Sequence, residues 1–250
     1  HALVAKYEAS QSFDKNNQHY FRSYCGGFPK VANAFKYKFS WSPLGVLKAL
    51  KSPAQWIGEG EIKQTEKPWL ALSHYDVTLA DGSKETFQAY PNRDSVPFQA
   101  QYGFENDWNV QEFVRGTLRL NGWAQAWENL FTEVDTLTGD AGMKSLQAIS
   151  DELWANHQYE EGESDRVVLS VELEVKDSSG EKTVFNGSFG VDEAGNENGS
   201  AMARLVSLTV AIAIESLIAG DLVKGVSPAP HDEKTVTKWL EALAEFNENI

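Results

Sequence analysis

Residues 111–120 read QEFVRGTLRL, with Phe113, Arg115, Thr117 and Arg119 alternating against Val114, Gly116, Leu118 and Leu120. A period of two is the mark of a strand with two different faces. Upstream, HYFRSYC (19–25) has the aromatic content of a second strand, which Gly26-Gly27-Phe28-Pro29 is expected to stop. Residues 59–89 are strand-like, and Asp81-Gly82 marks a hairpin turn inside them. Two more strands follow downstream, VVLSVELEV (167–175) and KTVFNGSFGV (182–191), joined by the turn residues Asp177-Ser178-Ser179-Gly180. Helical spacing covers 2–12, a segment from Ser42-Pro43 towards Pro53, and 122–134 with Trp123, Trp127, Leu130, Phe131 and Val134. Residues 135–165 read as polar and irregular with one modest helix near 143–154. Ser200 opens a helix through Ile218 that ends at Gly220, and an amphipathic helix covers 232–246. The class is α+β: a mixed, mostly antiparallel sheet flanked by helices.

The chain has 250 residues and a net charge of −14, from 22 Lys plus Arg against 36 Asp plus Glu. Nucleic-acid affinity rests on Lys and Arg at phosphates, so so acidic a chain is expected to bind neither nucleic acid nor an anionic membrane surface. One cysteine leaves no intrachain disulfide, Cys-rich zinc site or CxxC redox pair, and fits a reducing, cytoplasmic setting. The most apolar run, Leu205 to Ile218, is interrupted by Ser207, Thr209, Glu215 and Ser216 and is expected to be too short to span a bilayer. No secretory leader is read in the first 18 residues.

The five histidines form no HxxxH or HxH pair, so no metal site is expected. GxSxG is absent, and so is GxGxxG: Gly58-Glu59-Gly60 lacks the third glycine and precedes a strand. The chain carries no self-sufficient dinucleotide-binding unit. Cys25, at a strand end before two glycines, is either a buried filler or part of the lining of a site; nothing near it in sequence would lower its pKa. Arg115, Thr117 and Arg119 project from one strand face, and Arg93 sits in the loop Tyr90-Pro91-Asn92-Arg93-Asp94-Ser95. Such arginines suit a carboxylate ligand, which a guanidinium grips through two parallel bonds. The same spacing equally suits a ladder of ion pairs with neighbouring acids.

Five segments in order carry a resemblance: Ser23-Tyr24-Cys25-Gly26-Gly27; Tyr37 to Leu47 (YKFSWSPLGVL); Tyr90 to Ser95; Val114 to Arg119 with Gly122-Trp123; and Ser200-Ala201-Met202-Ala203-Arg204. Together they resemble the saccharopine dehydrogenase (saccharopine reductase) family over roughly residues 1–225. The resemblance implies that residues 1–250 are the C-terminal substrate-binding and dimerisation domain, similar to the second domain of glyceraldehyde-3-phosphate dehydrogenase. The N-terminal Rossmann domain of the family is absent from this chain, which accounts for the missing GxGxxG. It implies an NAD(P)-dependent oxidoreductase acting on a secondary amine or imine, converting saccharopine to glutamate and 2-aminoadipate semialdehyde. Carboxynorspermidine and lysine dehydrogenases, or a non-catalytic binding or oligomerisation module, are the alternatives.

By the same resemblance Arg93 is a substrate carboxylate clamp, and Thr117, Leu118 and Arg119 form a second substrate-contact strand. Ser42 faces the cofactor and Cys25 walls the cleft near the nicotinamide. NAD or NADP would be held mainly by the absent domain. The partners implied are an amino-acid substrate, the chain's own Rossmann domain and a second copy in a homodimer. Tyr24 and Asp94 stay open as groups that handle protons. The region between the RGTLR strand and the last strands is shorter than in large family members, and the tail after Val226 departs from the pattern.

Overall fold

A strand that alternates Phe-Arg-Thr-Arg with Val-Gly-Leu needs different neighbours on its two faces, and the computed structural model, which describes residues 1–79, 81–226, 229–230 and 232–246, supplies them. The chain runs α1 (Ala2–Glu8), β1 (Gln18–Pro29), α2 (Pro43–Leu50), β2 (Ala54–Gly58), β3 (Glu61–Thr65), a 3-10 turn (Pro68–Ala71), β4 (Ser73–Thr78), β5 (Lys84–Pro91), α3 (Phe98–Gln101), β6 (Val110–Arg119), α4 (Trp123–Ala126), α5 (Glu128–Thr136), α6 (Gly139–His157), β7 (Asp165–Lys176), β8 (Thr183–Ala194), α7 (Ala201–Ala219) and α8 (Glu233–Glu245). The strands form one eight-stranded sheet in the order β3-β2-β6-β1-β7-β8, with β5 also on β6 and β4 on β5. β1 and β6 run parallel; the other strand pairs are antiparallel. The α+β reading, with a mixed and mostly antiparallel sheet, is the observed architecture.

β6 is the hub. Its residues 116–119 pair with β5, Phe113 meets Ile57 of β2, and its other edge pairs with β1. Val114 and Leu118 enter a core with Tyr24, Phe28, Phe87 and Val168 on one face. Phe113, on the other face, packs with Phe21, Phe104, Trp108 and the α1 residues Val4 and Tyr7. A third core joins Tyr90 to Tyr37, Phe39, Leu47, Trp123, Trp127, Leu146 and Leu153, and so holds α2, α4, α5 and α6 together. Fully burying one such side chain contributes roughly 1.5–3 kcal/mol, so this cluster fixes the helices more firmly than local propensity does.

Several sequence expectations need correction. β1 does not stop at the glycines but runs through them to Pro29. A Cβ on Gly26 would lie 2.5 Å from the Leu118 carbonyl oxygen, and one on Gly27 would lie 2.6 Å from the Met202 methyl. These glycines admit neighbours rather than end a strand. The helix expected over 122–134 breaks at Trp127, whose indole N–H donates to the Phe35 carbonyl at 3.0 Å. The modest helix expected near 143–154 is a 19-residue helix, because Leu146, Ser150 and Leu153 bury one stripe of it. His231 and Ser227-Pro228, in the tail that departs from the family pattern, lie outside the described residues.

α7 begins as expected, with Ser200 Oγ accepting from the Ala203 N–H, and ends at Gly220 with φ 79°. Asp165 of β7 adds two anchors: its carboxylate accepts from the backbone N–H groups of Ala201 at 2.7 Å and Met202 at 2.8 Å. The expectation that this run is too short and too interrupted for a membrane is also corrected. The helix has 19 residues, a mean hydropathy of 1.8, and is long and apolar enough to cross a bilayer, with only 22% of the window buried. It lies against β7 and α8 in this structure. Val206, Val210, Ile214, Leu217 and Ile218 form an apolar stripe, each more than half exposed.

Candidate functional site

Strand register brings Cys25, Thr117 and Arg119 of the predicted residues to one face. Tyr90 of β5 lies opposite Thr117 of β6, Thr117 opposite Cys25 of β1, and Cys25 opposite Leu169 of β7. Ser23 lies opposite Arg115, and Gln88 opposite Arg119. Residues paired across strands share a face, so Arg115, Thr117, Arg119, Ser23 and Cys25 share one surface. Its ends are covered by the α1-side and α2-side cores. Between them Ser23, Arg115 and Thr117 are only half-buried and Cys25 is exposed.

Leu118 departs from its expected role as a contact. Its side chain is fully buried in the core on the opposite face, so only its backbone borders the site. Tyr24 is on that opposite face too, with its ring 4.4 Å from the ring of Tyr75 and filling the space Gly116 leaves. Its burial pushes the phenol pKa up. Tyr24 is therefore no partner for chemistry on the Cys25 face.

Arg93 occupies an exposed loop in a left-handed conformation, φ 55°. Hydrogen bonds hold it there on both sides. Its carbonyl accepts from the Gln55 N–H at 2.9 Å, the Ser95 N–H donates to the Gln55 carbonyl at 2.8 Å, and the Asn92 N–H donates to the Arg115 carbonyl at 2.8 Å. The Arg115 N–H donates to Ser95 Oγ at 3.0 Å. Asp94, one of the proton-handling candidates, is engaged in the loop itself: its carboxylate accepts from Gln55 Nε2 and the Val96 N–H. Left-handed backbone costs a non-glycine residue roughly 1–2 kcal/mol and is retained where the surroundings over-determine it. Arg93 thus stands beside Arg115, while Arg119 lies four residues further along β6, about 13 Å at the usual strand rise. Arg115 and Arg119 line the face in sequence, with the loop that carries Arg93 beside Arg115, and the three do not meet at one point.

Arg119 is only 7% exposed. Its guanidinium carbon lies 4.9 Å from the ring centre of Tyr37, 5.3 Å from that of Trp123 and 5.5 Å from that of Tyr90. One Nη donates to the Leu118 carbonyl at 3.3 Å, and the buried Nε has no hydrogen-bond partner. Arg115 is centred 3.7 Å over the ring of Phe98. The chain has six arginines. Arg22, Arg166 and Arg204 are ion-paired, to Glu112, to Asp192 and Glu85, and to Glu193. Arg93, Arg115 and Arg119 pair with no carboxylate among the described residues. The ladder of ion pairs, open on spacing alone, is not formed.

Although Cys25 reaches solvent, the protein packed around its thiol disfavours the thiolate and raises its pKa, and the nearby Arg119 charge pulls it partly back. The thiol is therefore protonated at neutral pH and a weak nucleophile. Ser42 is not on the sheet: it is the exposed N-cap of α2 and its hydroxyl makes no capping bond. Beside it the exposed Trp41 lies over Gly45, where a Cβ would come within 2.4 Å of the indole. Sequence reasoning missed the aromatic partners of the arginines. Tyr37, Tyr90 and Trp123 all stand inside the quoted motifs, but only the fold shows which cation they surround.

The family model for the saccharopine dehydrogenase C-terminal domain matches residues 2–247. The saccharopine dehydrogenase (NADP(+), L-glutamate-forming) of Pyricularia oryzae is 27% identical over 90% of this chain and 64% of its own length. The mitochondrial alpha-aminoadipic semialdehyde synthase of Mus musculus is 36% identical over 42% of this chain and 11% of its own. The apo saccharopine dehydrogenase (L-Glu forming) structure from Saccharomyces cerevisiae superposes with a TM-score of 0.67 at 24% identity, over 91% of this chain and 64% of that one. The chain thus spans somewhat less than two thirds of the two fungal relatives and about a tenth of the mouse one. With its residues matched almost end to end, the chain belongs to the saccharopine dehydrogenase C-terminal domain family.

Proposed function

We propose that this chain is the substrate-binding part of an NADP-dependent oxidoreductase that interconverts saccharopine with glutamate and 2-aminoadipate semialdehyde. The observation that carries the reading is the set of three arginines left without acid partners among the described residues, two on one face of β6 and one on the loop beside it, in a chain of net charge −14. With 36 acidic residues available, three unneutralised guanidinium groups are a disposition for an external anion. Their spread along β6 and its neighbouring loop fits an elongated amino acid with carboxylates at both ends. The names of the relatives support NADP and the glutamate-forming direction.

A nicotinamide, when bound, would accept a hydride from the substrate carbon bearing the secondary amine, which leaves that carbon–nitrogen bond open to hydrolysis. What this chain contributes is orientation. Arg93 and Arg119 would fix the carboxylates, and the paired Thr117 and Cys25 would form the wall beside the nicotinamide ring. Holding the reacting carbon in one place is the larger part of catalysis for a direct hydride transfer. Cys25 forms no covalent bond in this scheme. The chain has no glycine-rich phosphate loop, so the rest of the cofactor belongs to a separate N-terminal domain, and the apolar stripe of α7 suits packing against it. A homodimer and a cytoplasmic location complete the proposal.

The test is reduction of NADP(+) by the intact protein with saccharopine as substrate. The expected result is stoichiometric NADPH and glutamate. Activity confined to lysine or carboxynorspermidine, or no NADPH at all, would overturn the reading.

A further inference from the structure

The ion-paired and unpaired arginines of this protein differ in what holds them. Arg22, Arg166 and Arg204 all have carboxylate partners, even where a ring lies near (Tyr20 at 5.8 Å from Arg22, Phe87 at 6.0 Å from Arg166) or backbone carbonyls of Ala194 and Gly199 also hold the guanidinium, as at Arg204. Arg115 and Arg119, both on the site face of β6, are held by rings: Phe98 under one, and Tyr37, Tyr90 and Trp123 around the other. A carboxylate partner orients a guanidinium but also neutralises it. An aromatic face orients it through the ring quadrupole and leaves its charge and its N–H donors for something else. At Arg119 the consequence is visible, since a side chain more than nine-tenths buried keeps a buried Nε with no acceptor. A buried donor without a partner is costly and rarely tolerated unless a ligand or water completes it.

We propose that Tyr37, Tyr90 and Trp123 are positioning residues: they hold Arg119 in one orientation by cation–π contact so that its charge is unspent until a substrate carboxylate arrives. The cage is itself rigid. Tyr90 and Trp123 stack at 5.4 Å and 25°, Trp123 and Trp127 lie 5.2 Å apart, and Tyr37 meets Phe39 and Trp127 edge-on. This α2-side core therefore has a second role besides stability, which is to aim one cation. Phe98 does the same for Arg115 at a shorter distance. The inference rests on the proposed role of Arg119 in binding substrate.

The experiment compares four variants of the intact protein by steady-state kinetics with saccharopine and by thermal denaturation. Tyr37→Phe keeps the ring and is expected to stay within about 3-fold of the parent in KM. Tyr37→Leu removes the ring and is expected to raise KM at least 10-fold with kcat changed less than 3-fold. Phe131→Leu takes from the same core a ring that meets Trp123 but not Arg119; it leaves all three rings around Arg119 in place and is expected to lower the Tm about as much as Tyr37→Leu while leaving KM near the parent's. Arg119→Ala separates the two ideas. If it leaves KM unchanged, the substrate role of Arg119 fails and the inference falls with it. If Arg119→Ala raises KM but Tyr37→Leu matches Phe131→Leu, the substrate role stands and the positioning role is overturned.

Discussion

Cys25 and Thr117 lie directly opposite each other on β1 and β6, the parallel strand pair at the centre of the sheet. The pairing puts a thiol beside the strand that carries Arg115 and Arg119, and it determines what that thiol can do. Desolvation by the protein packed around this otherwise exposed thiol raises its pKa more than Arg119 lowers it, so the thiolate is scarce at neutral pH. Cys25→Ser is therefore expected to cost less than about 5-fold in kcat/KM, and alkylation of Cys25 by iodoacetamide should accelerate only at a pH above that for an ordinary exposed thiol. Loss of all activity in the serine variant would make Cys25 a nucleophile and contradict the orientation mechanism.

Arg93 combines strain with exposure. Its φ of 55° suits glycine, and its side chain makes no ion pair among the described residues. Arg93→Gly should then raise stability by about 1 kcal/mol, measured by urea denaturation, because the backbone cost disappears. The same variant should raise KM for saccharopine 10-fold or more. A destabilised variant with unchanged KM would show that the residue serves the loop and not the ligand.

Gly26 tests whether β1 and β6 touch as closely as the structure shows. A Cβ there would meet the backbone of Leu118 at 2.5 Å, and backbone cannot swing aside as a side chain can. Gly26→Ala is expected to destabilise by roughly 1–3 kcal/mol, the usual range for overpacking. A calorimetric Tm equal to the parent's would contradict the register assigned to these strands.

His19 provides a pH test. It is fully buried among Tyr7 and Trp108, with Nδ1 3.2 Å from the Asn109 carbonyl and no partner at Nε2, and burial lowers its pKa. Its folded pKa is thus below the unfolded value near 6.5, and the unfolded chain binds the extra proton first. Stability should fall as pH drops from about 6.5 until the folded pKa is reached. Urea midpoints between pH 7 and pH 5 should show this slope, and His19→Phe should flatten it. His157 is lowered by burial as well and will retain part of the slope. A His19→Phe variant with the parent's full slope would place the titration elsewhere.

Much of the fold was readable from local chemistry. The alternation over 111–120, the Asp81-Gly82 hairpin, the 177–180 turn, the Ser200 cap and the Gly220 stop are all signals carried by neighbouring residues. What escaped was set by distant ones. Gly26-Gly27 reads as a stop unless the approach of Leu118 and Met202 is known. The helix break at Trp127 depends on a carbonyl 92 residues away, and α6 is held by a core that its own polar sequence does not announce. At the site, sequence identified which arginines project together but left open whether acids neutralise them. Only the pairing of Arg22, Arg166 and Arg204 elsewhere answers that, together with the rings around Arg119. The opposite fate of Leu118, one residue away on the same strand, follows from the pleat alone.

The most direct test of the central claim is a structure of the intact protein with saccharopine bound. The account predicts one substrate carboxylate within about 2.7–2.9 Å of the Arg119 guanidinium, taking up the vacant Nε donor, and another at Arg93. Saccharopine seated away from this face, with both guanidinium groups still without an anionic partner, would contradict it.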